Sequence, residues 1–191
     1  MRTEDQKIID LLCSDRAKGF RALFDKYYTP LCLFSIQMTD DFDVSEDIVQ
    51  SFFVTFWEKQ LHKNLKSSNL RSYIFTSIRN NTLAYMRMRG EALSVDNYLD
   101  IPDQGDWSVD FASITLEGDL QSREEELLTA LQGLSANEMK ALEQVIINDK
   151  TYKEASAEMG ISINTLKTHL RRAMKKLRNM SPILLFFLSY K

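Results

Sequence analysis

At 191 residues with 44% apolar content, the chain can bury one modest core or two small ones. Few glycines, three prolines and helix formers throughout predict an all-α protein, and the formal charge of −3 means that any face for a polyanion has to be local. No segment is long enough to span a membrane, and the amino terminus MRTEDQKIIDLL mixes its charges as a signal peptide does not, so a cytoplasmic protein is expected. Cys13 and Cys32 form no metal or redox spacing and read as two ordinary reduced thiols.

The first helix is expected over 4–12, with Ile8, Ile9, Leu11 and Leu12 on its apolar side. A second follows over 16–38, where Phe20, Leu23, Phe24, Tyr27, Leu31 and Phe34 recur at helical intervals. Pro30 lies inside this pattern and is expected to kink or divide it. TDDFDVSED is a turn plus an acidic helix start, the acids lying near the positive end of the next helix dipole. That helix, over 44–59, directs Ile48, Val49, Phe52 and Phe56 inward and leaves Asp47, Gln50, Ser51 and Val54 outside. A polar loop over 62–69 leads to a helix over 70–89. This helix interleaves Tyr73, Phe75 and Tyr85 with Arg71, Arg79, Asn80, Asn81, Arg87 and Arg89, a mixture able to stack on unpaired bases and hold a backbone between them. A core helix with an ordinary polar side would read the same way.

From Leu93 to Ser122 there are seven acids and no Lys or Arg, broken by Pro102 and Gly105, which predicts an acidic flexible tether over 93–121. SREEELLTALQGL then makes a helix with Leu127, Leu128 and Leu131 inward, ended by Gly133. Ser135 with Glu138 is a capping box opening a helix through Ala141, Leu142, Val145 and Ile146. Thr151 with Glu154 is a second box, opening a short helix from Tyr152 to Met159 that Gly160 stops. Ser162 is the N-cap of the last helix. This is helix-turn-helix spacing.

The last helix carries Leu166, Leu170, Ala173, Met174 and Leu177 on one stripe. Asn164, Thr168, Arg171 and Lys175 fall almost opposite, flanked by Lys167, Arg172 and Lys176, with Thr165 in the first turn. Ser162 to Arg178 holds six Lys or Arg and no acid. Short polar side chains in the first turn and cations further along suit a helix that reads base edges in the major groove and grips phosphates. After Pro182 the tail ILLFFLSYK is strongly apolar. It is expected to fold back on the second domain or to be covered by a partner.

DIVQSFFVTFW at 47–57, SYIFTSIRN at 72–80 and the helix-turn-helix at 151–178, in that order and at those separations, resemble the two-domain extracytoplasmic-function sigma factors of bacterial RNA polymerase. The resemblance implies two helical domains joined by a linker. Sigma region 2 would lie over 1–92 and region 4 over 122–180, with the acidic linker over 93–121 and the tail over 181–191. Core RNA polymerase and promoter DNA are the implied partners, together with an anti-sigma factor, often membrane-bound, that holds the free protein inactive. Asp47, Gln50, Ser51 and Val54 would grip the polymerase clamp helices. Arg71, Tyr73, Arg79, Asn80 and Arg87 would serve the minus-10 element, with Asn80 the first choice for a base contact. Asn164, Thr165, Lys167, Thr168 and Arg171 would read the minus-35 duplex, with Arg172, Lys175 and Lys176 on its phosphates. The chain departs from the family pattern at Tyr73, where tryptophan is common, and at Ala84, often acidic.

His62 and His169 lie in no nucleophile or metal motif, and there is no phosphate-binding glycine loop. No enzyme activity, cofactor, metal or small-molecule substrate is expected, and the free chain is expected to be a monomer. The alternative is a helix-turn-helix regulator with a helical sensing or dimerisation domain in front, which gives no reason for the patterns at 47–57 and 72–80.

Overall fold

The computed structural model describes residues 3–90, 129 and 131–177, and among them every regular element is helical. Helix α1 (Glu4–Ser14) starts where Thr3 accepts the Gln6 N–H, and it buries Ile8, Ile9 and Leu12. Asp15 both ends α1 and caps α2 (Arg16–Thr39), accepting the Lys18 N–H at 3.1 Å. The junction is a single residue, so the two helices cross closely. A Cβ on Gly19 would lie 2.3 Å from the Leu12 nitrogen.

Pro30 does not divide α2, which runs on for more than two further turns to Thr39. The lost backbone hydrogen bond is offset by burial beyond it, where Leu31, Cys32, Leu33, Phe34 and Ile36 are all in the core. Asp40, in the left-handed region at φ 53°, ends the helix, and Asp41 caps α3 (Phe42–Glu58) by accepting from the amides of Asp43 and Val44. Helix α3 buries Ile48, Val49, Phe52 and Phe56 as its periodicity requires, and also Phe53. The Phe53 ring packs against Phe20 and Phe24 of α2 with centroids 5.9 and 4.9 Å apart. The Arg16 guanidinium stands 3.8 Å over the Trp57 ring and donates to the Trp57 carbonyl.

The expected loop over 62–69 is mostly ordered as helix. A 3₁₀ turn (Leu61–Asn64) leads into α4 (Ser67–Met88), which begins three residues before the expected start at Leu70. Lys66 holds the N-cap position without a side-chain bond, while Ser67 donates to the Gln6 side chain of α1. A tertiary contact thus takes the place of a local cap. Leu70, Ile74, Phe75, Ile78, Leu83 and Met86 complete the four-helix core, and Ser35 and Thr82 share a buried hydrogen bond at 3.1 Å between α2 and α4.

The C-terminal helices are α5 (Ala136–Leu142), which continues as a π-helical turn (Glu143–Ile147), α6 (Tyr152–Met159) and α7 (Ile163–Leu177). All five residues of the α7 stripe, Leu166, Leu170, Ala173, Met174 and Leu177, are fully buried, and Ala141, Leu142, Val145 and Ala155 meet them. At roughly 1.5–3 kcal/mol for each large apolar side chain, this stripe is the main source of stability for a small body. Helix α7 also lies against α2, so the C-terminal helices rest on the N-terminal bundle. Leu127 and Leu128, the acidic tether and the apolar tail lie outside the described residues.

Candidate nucleic-acid interface

The helix-turn-helix is built by local hydrogen bonds. Thr151 accepts the Glu154 N–H at 3.3 Å and Glu154 accepts the Thr151 N–H at 2.9 Å, closing the capping box at the start of α6. The Thr151 hydroxyl and N–H hold the Glu154 carboxyl below its ordinary range. Gly160, at φ +65°, stops α6 in the conformation that a side chain resists. The Ile161 N–H then returns to the Ser156 carbonyl at 3.0 Å, and Ser162 accepts the Thr165 N–H at 3.0 Å to open α7.

Each polar residue of α7 has a definite environment. Asn164, Thr165, Arg171 and Arg172 are exposed. The Thr165 hydroxyl shares a hydrogen bond with Ser162 at 2.8 Å, and the half-buried Thr168 donates to the Asn164 carbonyl at 2.9 Å. Arg171 and Arg172 make no ion pair among the described residues.

The three lysines behave differently. Lys176 donates to Glu138 at 2.7 Å and to the Gly133 carbonyl at 3.1 Å, tying the end of α7 to the start of α5. Glu138 is buried, which works to raise its pKa, but its hydrogen bonds from Lys176 and Ser135 outweigh burial and hold the carboxyl below its ordinary value. Lys175 reaches Asp40 at 3.3 Å. Lys167 meets the Glu46 carboxylate at 2.9 Å, with its ammonium 5.4 Å from the Phe42 ring and 6.0 Å from the Tyr152 ring. Sequence reasoning had no access to Asp40, Phe42, Glu46 and Tyr152 as neighbours of the last helix. The acids read there only as helix-start residues, because their sequence separation from α7 hides the contact.

On α4 the series divides between core and surface. Phe75 is buried edge-on against Phe34, centroids 5.4 Å apart, so the aromatic interleaving is shallower than the sequence implied. Arg79 is buried, Arg71, Tyr73 and Asn80 are half-buried, and Arg87 is exposed. The Arg71 guanidinium lies 5.9 Å from the Phe75 ring, and burial raises the pKa of the Tyr73 hydroxyl. Tyr85 accepts from Arg89 at 3.0 Å, and Ala84 is exposed. His62, beside the α4 start, is buried against Phe56. Burial, with Arg16 and Lys63 nearby, lowers its pKa, so it stays neutral at neutral pH.

On α3 Asp47, Gln50, Ser51 and Val54 all face solvent along one side, Gln50 donating to the Tyr28 hydroxyl at 3.3 Å. Val54, 55% exposed, is the apolar element of an otherwise polar strip. Of the described helices, none is long and apolar enough to cross a membrane.

The sequence family described as Sigma-70, region 4 matches residues 124–177, which include the whole helix-turn-helix. A curated relative, the ECF RNA polymerase sigma factor RpoE of Cereibacter sphaeroides, is 23% identical over 163 residues and is aligned over 84% of each chain. A solved structure of the sigma factor RpoE in complex with the anti-sigma factor NepR, from Bartonella quintana, is 26% identical, covering 89% of this chain and 98% of that one, with a TM-score of 0.34. A region 4 match over the helix-turn-helix and a curated relative aligned over most of both chains support an extracytoplasmic-function sigma factor, a sigma-70-type subunit that directs RNA polymerase to promoters.

Proposed function

We propose that region 4 reads the minus-35 element as duplex with α7, and that region 2 holds core polymerase with α3 and captures the minus-10 element with α4 and the turn before it. The observation that carries this reading is the outer face of α7. Asn164, Thr165, Arg171 and Arg172 stand exposed on a helix that has no acid and is anchored by five buried apolar side chains. Such a helix can enter a major groove without giving up its core. Asn164 and Arg171 are the base-edge readers, Thr165, Lys167 and Thr168 adjoin them, and Arg172 and Lys175 hold phosphates. Lys176 is a weaker candidate, because Glu138 and Gly133 already engage it.

The exposed strip Asp47, Gln50, Ser51 and Val54 is the polymerase contact. Asn80 and Arg87, with Tyr73 and Arg71 at the edge of the core, serve the minus-10 strand, where the unstacking cost of a few kcal/mol for a flipped base has to be offset by stacking and hydrogen bonds. Arg79, being buried, acts by supporting its neighbours. The chain works in the cytoplasm as a monomer until it meets core polymerase, under the control of an anti-sigma factor.

The test is transcription and promoter binding with purified core polymerase on a promoter library. Arg171→Ala should weaken binding to the selected promoter by ~1–3 kcal/mol if it makes a bidentate base contact, with relaxed preference at one minus-35 position. Promoter-specific binding by the protein alone, with no transcript on adding core, would refute the reading.

A further inference from the structure

A cleft of about 310 Å³ opens where α2 faces the turn between α5 and α6. Its apolar lining comes from Pro30 and Leu33 on α2 and from Val145 and Ile146 on the π-helical turn. Ile147, the next residue, is 48% exposed and adds apolar surface beside it. The rest of the lining is charged and unsuited to an anion. Glu4, Asp25 and Asp149 bring carboxylates, while Lys26 is held by Glu4 and Asp5 and Lys150 by Gln144 and Glu158. We infer that this cleft is the docking site of the chain's own apolar carboxy-terminal segment, ILLFFL over 183–188, which inserts side chains between α2 and the π-helical turn.

Chemistry and reach single out this occupant. Residues 178–191 lie outside the described residues, and their sequence holds six consecutive large apolar side chains with no charge among them. Left in water, such a run is an association surface. A concave site with aliphatic walls takes apolar groups best, and this volume suits a few of the six side chains rather than the whole run. The point from which the segment departs is fixed. Lys176, one residue before the end of α7, donates to Glu138 at 2.7 Å and to the Gly133 carbonyl at 3.1 Å, which sets the end of α7 beside the start of α5. From Glu138 to Ile146 the chain rises by at most about 12 Å along α5 and the turn that continues it. Residues 178–182 span up to about 16 Å when extended, so the apolar run begins within reach of the cleft. The same segment of a second copy has the same chemistry, but the intramolecular one is present at a far higher effective concentration. The inference needs no assumption about which residues meet DNA.

The experiment uses the full chain carrying Cys13→Ser and Tyr190→Cys, so that a nitroxide spin label attaches near the carboxy terminus while the buried Cys32 stays unlabelled. Broadening of the isoleucine, leucine and valine methyl signals then maps where the segment lies. Loss of signal should be strongest at Leu33, Val145 and Ile146. Ile78 of α4 should be little affected, because α4 meets the opposite side of α2, where Ser35 bonds Thr82. Thr29 is half-buried and lines the cleft, so Thr29→Trp should fill it and restore those signals with the helical circular dichroism unchanged. Broadening centred on another surface, or at no site, overturns the assignment, as does broadening that persists at full strength in a folded Thr29→Trp chain. A mixture of spin-labelled chains without isotope and isotope-labelled chains without the spin label should show no broadening at the cleft. Broadening there would make a second copy the source of the segment and overturn the intramolecular site.

Discussion

Glu138 joins the start of α5 to the end of the recognition helix, and its removal has a calculable cost. The carboxylate is 4% exposed, accepts the Ser135 N–H at 2.8 Å and accepts from Lys176 at 2.7 Å, while its own N–H donates to the Ser135 hydroxyl. Glu138→Ala loses the reciprocal half of the capping box, ~1 kcal/mol, and a buried charge-assisted hydrogen bond, ~1.5–3 kcal/mol. The expected loss is therefore ~2.5–4 kcal/mol, a large share of what a small helical body has. Glu138→Gln keeps an acceptor for Ser135 and loses mainly the charge, so it should cost ~1–2 kcal/mol. The pH dependence has a definite sign. Because the folded carboxyl titrates below its unfolded value, its contribution is fully present above the ordinary Glu pKa of about 4.5 and is lost as pH falls through the lower folded value. Urea denaturation followed by circular dichroism, at neutral pH and in steps down to about pH 3.5, should show a wild-type decline that Glu138→Gln lacks in part. If both proteins lose stability in parallel on acidification, or if Glu138→Ala lies within ~0.5 kcal/mol of wild type at neutral pH, Glu138 does not couple α5 to α7.

Gly19→Ala should lower stability by ~1–3 kcal/mol or more, read as a drop in the thermal midpoint, because the new Cβ would fall 2.3 Å from the Leu12 nitrogen and 2.6 Å from its Cα, backbone atoms that cannot turn aside. An unchanged melt would mean that α1 and α2 cross more loosely. The Cys32 thiol is pushed up to about 12 by its burial and then by the Glu46 carboxylate, so the unfolded chain loses this proton first and stability should fall as pH rises above about 8.5. Tyr27 and Tyr152, also raised by burial, extend the decline above about pH 10. Cys32→Ala should be flatter than wild type in urea titrations between about pH 7.5 and 9.5, and equal slopes would refute the assignment.

What could be read from the sequence was the part set by local chemistry. Ser135 with Glu138, Thr151 with Glu154, Gly160 and Ser162 each act within three or four residues of themselves, and each forms the cap or stop its type implies. The apolar stripe of α7 and the outward strip of α3 also follow from period alone. The failures all involve partners far along the chain. Of the two outcomes expected at Pro30, a kink or a division, the division does not occur, because burial on its far side keeps α2 continuous, and α4 starts early, where Ser67 bonds Gln6 of α1. Phe75 and Arg79 are buried, which the pattern of α4, open between a core helix and a base-stacking face, could not decide. A one-dimensional pattern could not say that Lys167 would meet Glu46 across more than a hundred residues.

The basic face of α7 thus resolves into three kinds of cation, and their chemistry matches their placement. Lys176 is paired within its own body, with the buried Glu138. Lys167 and Lys175 are paired with Glu46 and Asp40 of the N-terminal bundle. Of their two pairs, Lys175 with Asp40 is the more exposed and is the first that salt will screen, while Lys167 with Glu46 is sheltered and weakens less. Arg171 and Arg172 face solvent, where the planar guanidinium is the group best shaped for bidentate contact with guanine or phosphate. On the proposed reading of α7, its exposed arginines meet DNA while its lysines are still paired. Raising salt should therefore loosen these two pairs while weakening the encounter with DNA, so that the net affinity for duplex falls less steeply with salt than for the double variant Asp40→Asn, Glu46→Gln, which lacks both pairs. A steeper fall in the wild type than in the double variant would mean that the two carboxylates and DNA do not compete for the same cations.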